Sequence, residues 1–243
     1  MVKILMTGGG GRLGTELQAL LPQMIAPSSQ VLNVTDAVQV QRVMEQERPQ
    51  IVVHAAAYTN VGAAEQERAQ CWRVNVEGTR HVAEAVRTVG AKLIHISTDY
   101  VFSGDIGGYR EEDVPGPVVN YYSLTKLVAE EAARSAGNVL IVRTSFRPRT
   151  FQYPVAFGDV FTSQDYVDII APMVAEVILN AGAISDPILH VATERKSVFE
   201  LAQRRNAEVK EGSRVQASVV LPADVSLNTE RWQALRANWV HQA

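Results

Sequence analysis

Through the first 145 residues, short and nearly continuous apolar runs alternate with stretches of helical spacing. Residues 2–6 form an apolar run that ends in glycines, as a buried strand entering a tight turn would. Residues 13–21 carry apolar side chains at helical spacing and stop at Pro22. Residues 23–26 predict a weak second strand and residues 31–34 a short third. Thr35 or Asp36 can cap a helix that runs to Glu47, near Pro49. The pattern continues with a strand at 51–54, one long helix or two joined over 65–89, and a strand at 92–97. A helix at 122–135 and a strand at 139–144 follow. Strands interleaved with helices pair in parallel through crossover connections. Their near-continuous apolar character suits a sheet covered on both faces. The expected fold is α/β, a Rossmann-like doubly wound parallel sheet.

Beyond Thr144 the period loosens. Residues 146–164 hold two prolines, several aromatics and no clear spacing. A helix is expected over 165–180, a strand at 188–192, a helix over 197–205 and a last helix around Trp232. The expected organisation is a sheet domain over 1–145, with a small lobe over 146–243 packed on it.

Composition narrows the classes. The 243 residues are 47% hydrophobic and 20% charged, an ordinary balance for a chain able to bury a substantial core. A net charge of −3 gives no basic surplus for nucleic acid or an anionic membrane. No apolar stretch approaches the roughly 18 residues of a membrane span. The apolar run at the N-terminus falls short of the roughly 7–15 residues of a signal-peptide core. A cytoplasmic setting is expected. The lone cysteine, Cys71, rules out an intrachain disulfide and reads as a packing residue. His54, His81, His95, His190 and His241 show no ligand spacing, so no metal site is expected. His54 and His95, in apolar strands, read as satisfied core residues.

The glycine turn carries the first chemistry. Gly8, Gly11 and Gly14 fall at the spacing G-x-x-G-x-x-G between the first strand and the first helix. Glycine there permits a tight turn, close approach to a pyrophosphate and close helix–sheet packing. The helix N-terminus offers free N–H groups to phosphates. The second strand region ends in Ala26-Pro27-Ser28-Ser29, without the carboxylate that bonds a ribose 2′-hydroxyl in NAD sites. Arg12, in the turn, could meet a 2′-phosphate or stand as a solvated helix-start residue. The balance favours NADP and leaves NAD open.

Tyr122 and Lys126 lie four residues apart at the start of a helix, on one face. A free phenol, with pKa about 10, moves protons poorly near neutrality, and a neighbouring ammonium would lower that value. The lysine can also hold the nicotinamide ribose. Ser97 and Thr98 end the strand at 92–97, at the carboxyl edge where open α/β sheets place ligands. A hydroxyl there can bond a substrate carbonyl as charge develops on its oxygen.

The string ISTDYVFSG, with Tyr122 of YYSLTKLVAEE placed 24 residues after Thr98, resembles the extended short-chain dehydrogenase/reductases. Within them it is most similar to the dTDP-4-dehydrorhamnose reductase family. HAAAYT at 54–59, VNVEGT at 74–79, VRTS at 142–145 and LPADVSLNT at 221–229 extend the resemblance. It implies that Thr98 orients a substrate keto group, Tyr122 protonates it, and Lys126 tunes the tyrosine and binds ribose. Gly11, Arg12 and Leu13 would meet the cofactor pyrophosphate, and Asn33 and Val34 would lie by the adenine. Ala55, Ala56, Ala57, Tyr58 and Thr59 would line the dinucleotide. Asp99 would contact the sugar, and Asn75 would help hold the site. Phe146 stands where the family often has a tryptophan on the substrate side, and the segment after it is shorter than the family's.

The implied function is NAD(P)H-dependent reduction of the keto group of a nucleotide-linked deoxysugar. The alternatives are a sugar-nucleotide epimerase or dehydratase, and a non-catalytic dinucleotide-binding regulatory subunit. Dehydratases of this superfamily place two acids beside the threonine, whereas Thr98 is followed by Asp99 and Tyr100. The expected partner is a nucleotide-sugar, and a homodimer is compatible with such a fold.

Overall fold

The computed structural model describes residues 2–217 and 219–240. Five strands pair in parallel in the order β1 (Ile4–Thr7), β2 (Ile51–His54), β3 (Lys92–Ser97), β4 (Val139–Arg143) and β5 (Ile188–His190). The register sets Thr7 beside His54, His54 beside His95, and Ser97 beside Arg143, so the first four strands end along one edge. The helices are α1 (Arg12–Leu20), α2 (Ala37–Glu47), α3 (Arg68–Trp72), α4 (Gly78–Val89), α5 (Tyr121–Arg134), α6 (Val167–Leu179), α7 (Val198–Gln203) and α8 (Glu230–Val240). No helix among the described residues is long and apolar enough to cross a membrane.

The pleat sends neighbouring side chains to opposite faces of the sheet. Met6, Val53, Ile94 and Leu140 pack with Leu17 of α1, Ile170 and Val174 of α6 and Trp232 of α8. Leu5, Val52 and Leu93 pack with Val40 and Met44 of α2, Val82 and Val86 of α4 and Ala133 of α5. The sheet is therefore covered on both faces, the doubly wound Rossmann-like arrangement. Each large apolar side chain so buried contributes about 1.5–3 kcal/mol.

A buried ion pair ties α5 to β4. Arg143 donates to both oxygens of Glu130, at 3.0 and 2.8 Å, and the Ser97 hydroxyl donates to the same carboxylate at 2.5 Å. Removing one member of such a buried pair typically costs about 3–5 kcal/mol, because the other charge is left stranded.

Several sequence expectations change. Residues 31–34 form no strand; they turn back, with Val31 and Leu32 N–H groups donating to the Ser28 carbonyl. Leu32 and Val34 still bury against α2, which accounts for the apolar pattern. The strand expected at 23–26 shrinks to one bridge, Ile25 against Leu5. Of the two readings of 65–89, one long helix or two joined, the structure has the second: α3 and α4 meet through a π turn, Arg73–Glu77. The sheet continues past residue 145, because β5 pairs with β4. The irregular stretch holds short strands: Phe146–Arg147 pairs with Asp165–Tyr166, and Val155–Phe157 with Lys210–Gly212.

The two strand histidines also differ. His54 is satisfied by the hydroxyls of Thr7 at 2.7 Å and Thr79 at 2.9 Å, whereas both His95 ring nitrogens are buried without a partner. Burial holds both imidazoles neutral, His54 down to about 3. His241 lies outside the described residues.

Candidate active site

The carboxyl edge of the sheet opens into a cavity of about 1140 Å³. The glycine turn after β1, the chain after β2, Thr98 after β3, Tyr122 and Lys126 on α5, and Phe146 after β4 all contribute to its wall. Gly8 has φ +77°, and a Cβ there would sit 2.6 Å from the Ala56 nitrogen. At Gly14 a Cβ would meet the Gly8 carbonyl oxygen at 2.5 Å. The turn thus folds tightly because those two positions lack side chains. Gly11 caps α1, and no side chain bonds the free N–H groups of its first turn. Those donors and the positive end of the helix dipole remain available to an anion.

Asn120 caps α5, its side chain accepting the Ser123 N–H at 2.9 Å, while the Tyr121 N–H donates to Glu65 at 2.7 Å. These caps fix the turn that carries Tyr122 and Lys126. Lys126 is buried, and its Nζ donates to the Ile96 carbonyl at 2.8 Å. Burial drives its ammonium down to about 8, against the upward pull of Glu130 one turn further along. The Tyr122 phenol is pushed above its ordinary value, first by burial and then by the charge of Asp99. The Thr98 hydroxyl faces it and opposes the shift. The sequence expectation of a phenol lowered by Lys126 is therefore corrected. In this site burial and the charge of Asp99 set the phenol, and Tyr122 stands as a protonated donor. Tyr100 packs edge-on against it, with ring centroids 6.4 Å apart.

Asp99 lies beneath the wall rather than on it, 1% exposed. It accepts from the Thr98 hydroxyl at 3.0 Å and the Thr162 hydroxyl at 3.3 Å. Burial raises its carboxyl to about 6, against those bonds. The geometry makes it a support for Thr98. Asn75, in the π turn, accepts the Tyr58 N–H at 2.8 Å and donates to the Thr125 hydroxyl at 2.9 Å. It joins the chain after β2 to the first turn of α5. Tyr58 is off the wall, and its hydroxyl donates to Glu67 at 2.9 Å.

The candidate residues Gly8, Gly11, Arg12, Leu13, Gly14, Asn33, Val34, Ala55, Ala56 and Ala57 lie on one wall with Thr98, Tyr122, Lys126 and Phe146. The wall also includes Ser28, Ser29 and Thr35 near the glycine turn, and Gln164, Arg147, Pro148, Thr150, Phe151, Gln152 and Tyr153, none of which the sequence marked as site residues. The only signal for 147–153 was negative: prolines and aromatics without period. Arg149 in that segment forms a two-point ion pair with Glu16 of α1, at 2.7 Å each, and Arg205 donates to its carbonyl at 2.7 Å.

A family model described as RmlD substrate binding domain matches residues 2–147. The chain is 37% identical over 154 residues to the dTDP-4-dehydrorhamnose reductase of Mycobacterium tuberculosis (strain ATCC 25618 / H37Rv), covering 59% of this chain and 50% of that protein. It is 44% identical over 133 residues to the dTDP-4-dehydrorhamnose reductase of Streptomyces griseus, covering 53% and 43%. The chain spans about half the length of the curated relatives it matches. Among solved structures, the dTDP-4-dehydrorhamnose reductase of Bacillus anthracis str. Ames in complex with NADP is similar with a TM-score of 0.85 and 31% identity, covering 98% of this chain and 92% of that one.

Proposed function

We propose, from the premise that the chain belongs to the RmlD substrate binding domain family, that it reduces the keto group of a nucleotide-linked deoxysugar with NADPH. The observation that carries this reading is the placing of Thr98, Tyr122 and Lys126 on one cavity wall with the glycine turn.

The residues present fit a dinucleotide. The uncapped first turn of α1 suits its phosphates. A Cβ at Gly10 would meet nothing within 4 Å, so the backbone there is open to close approach. Arg12, Ser28, Ser29 and Thr35 line the wall where a 2′-phosphate would be favoured, with no carboxylate among the lining residues. The solved relative bound to NADP agrees with that preference. When bound, NADPH supplies the hydride that reduces the carbonyl carbon.

The Thr98 hydroxyl, whose proton goes to Asp99 in the free protein, turns that proton to the carbonyl oxygen when substrate binds and so orients it. Tyr122, kept protonated by burial, gives its proton to that oxygen as charge develops. Lys126, fixed by the Ile96 carbonyl, sets a positive charge beside the reacting groups and eases the phenolate left behind.

The test is NADPH oxidation with a dTDP-linked 4-keto-6-deoxysugar. Tyr122→Phe is expected to lower kcat by about 100-fold or more, with NADPH affinity retained. Turnover absent in the unaltered protein, or unchanged by the substitution, would sink the reading.

A further inference from the structure

The cavity wall carries three cationic side chains, Arg12, Lys126 and Arg147, and no aspartate or glutamate among the described residues. Lys126 is committed to the Ile96 carbonyl. Arg12 opens α1 beside the glycine turn, where a cofactor phosphate is accounted for. Arg147 is the cation left over.

Arg147 ends the short strand Phe146–Arg147, and its Nε is buried without a hydrogen-bond partner. A carboxylate does stand on the paired strand, that of Asp165. It is already engaged by Arg204 at 3.2 Å and Lys196 at 3.6 Å, and no described carboxylate forms an ion pair with Arg147. The guanidinium lies 5.3 Å from the centre of the Phe151 ring. Its charge also acts on the phenol of Tyr100, the ring packed edge-on against Tyr122. The cation therefore lines the same cavity as Tyr100, Tyr122 and Phe146, on the segment that follows β4. The Arg149–Glu16 ion pair, two residues further on, holds its segment in place.

A partly buried guanidinium without a counter-ion is costly to maintain, and its planar fork matches phosphate oxygens two at a time. We infer that Arg147 binds the diphosphate of the sugar-nucleotide substrate, as a second anion site separate from the one that holds the cofactor phosphates. The inference rests on the reductase reading for the identity of the substrate. It does not rest on it for the existence of an anion site. The position follows directly after Phe146, on the wall of the same cavity.

The experiment titrates dTDP into the protein saturated with NADP, for the unaltered chain, Arg147→Gln and Arg147→Lys. It also measures KM for the keto-sugar nucleotide and for NADPH in each. Arg147→Gln is expected to raise the dTDP Kd and the sugar-nucleotide KM by about 10- to 100-fold. Arg147→Lys should recover part of that loss, and the NADPH KM should stay within about twofold. Equal dTDP affinity in the unaltered chain and Arg147→Gln overturns the inference. So does a rise confined to the NADPH KM, or a loss of both ligands in Arg147→Gln that Arg147→Lys restores together, since either outcome puts the cation on the cofactor. If no keto sugar is turned over yet dTDP binding still depends on Arg147, the reductase reading fails and the anion site stands.

Discussion

Burial sets Asp99 and Lys126 against their ordinary ionisation, and the two shifts bracket a working range. The Asp99 carboxyl is raised to about 6, so the carboxylate that holds Thr98 forms only as pH climbs through that value. The Lys126 ammonium is lowered to about 8, so its charge is lost as pH climbs further. Tyr122 adds no limb near neutrality, because its phenol is pushed above the ordinary value of about 10. We expect kcat/KM to rise through about pH 6 and fall through about pH 8. Asp99→Asn should remove the acid limb and keep the alkaline one. A profile flat from pH 5 to 9, or an acid limb that survives Asp99→Asn, would contradict this account. The Thr98, Tyr122 and Lys126 set was legible from spacing and from its place at a strand end. The direction of the Tyr122 shift was not. It depends on how far the half-buried phenol is removed from water at the cavity wall, and on an acidic neighbour whose side chain turned under that wall.

The glycine turn separates two roles that a pattern of three glycines merges. A Cβ at Gly14 would lie 2.5 Å from the carbonyl oxygens of Gly8 and Gly9, so α1 must shift to admit it. Gly14→Ala is expected to lower stability by about 1–3 kcal/mol in urea denaturation. A Cβ at Gly10 meets nothing within 4 Å. Gly10→Ala should unfold within about 0.5 kcal/mol of the unaltered protein, yet bind NADPH at least about 10-fold more weakly, by filling space a phosphate needs. Unchanged affinity in Gly10→Ala would show that the phosphates lie elsewhere. β2 and β3 were read to the residue because unbroken apolar runs bounded by polar residues have few other solutions. The segment at 31–34 misled because Leu32 and Val34, two residues apart, mimic one face of a strand while burying from a turn. The π turn showed only as a choice between one long helix and two joined, because one inserted residue shifts the apolar face by about 100° with no glycine or proline inside the turn to mark the place.

The second half of the chain completes the sheet rather than standing beside it. β5, α6 and α8 supply Leu189, Ile170, Val174, Ile178 and Trp232 to one face of the core. At about 1.5–3 kcal/mol each, these five side chains amount to about 8–15 kcal/mol, comparable to the whole stability of an ordinary domain. A chain ending at residue 147 is therefore expected to show no cooperative thermal transition by circular dichroism. A truncated chain that melts cooperatively and binds NADPH would show the sheet of 1–145 to be self-sufficient. This dependence was illegible in the sequence, because nothing local says that a three-residue strand 45 positions after β4 pairs with it. The cation-only wall has a kinetic meaning as well. The chain as a whole is an anion, with net charge −3, and its reactants would be anions too. At physiological ionic strength the screening length is about 8 Å, so an approaching dianion responds to the mouth of the cavity and little to the distant negative remainder. Capture is thus governed by a short-range field that the overall charge conceals, and added salt would slow arrival without touching the chemistry that follows.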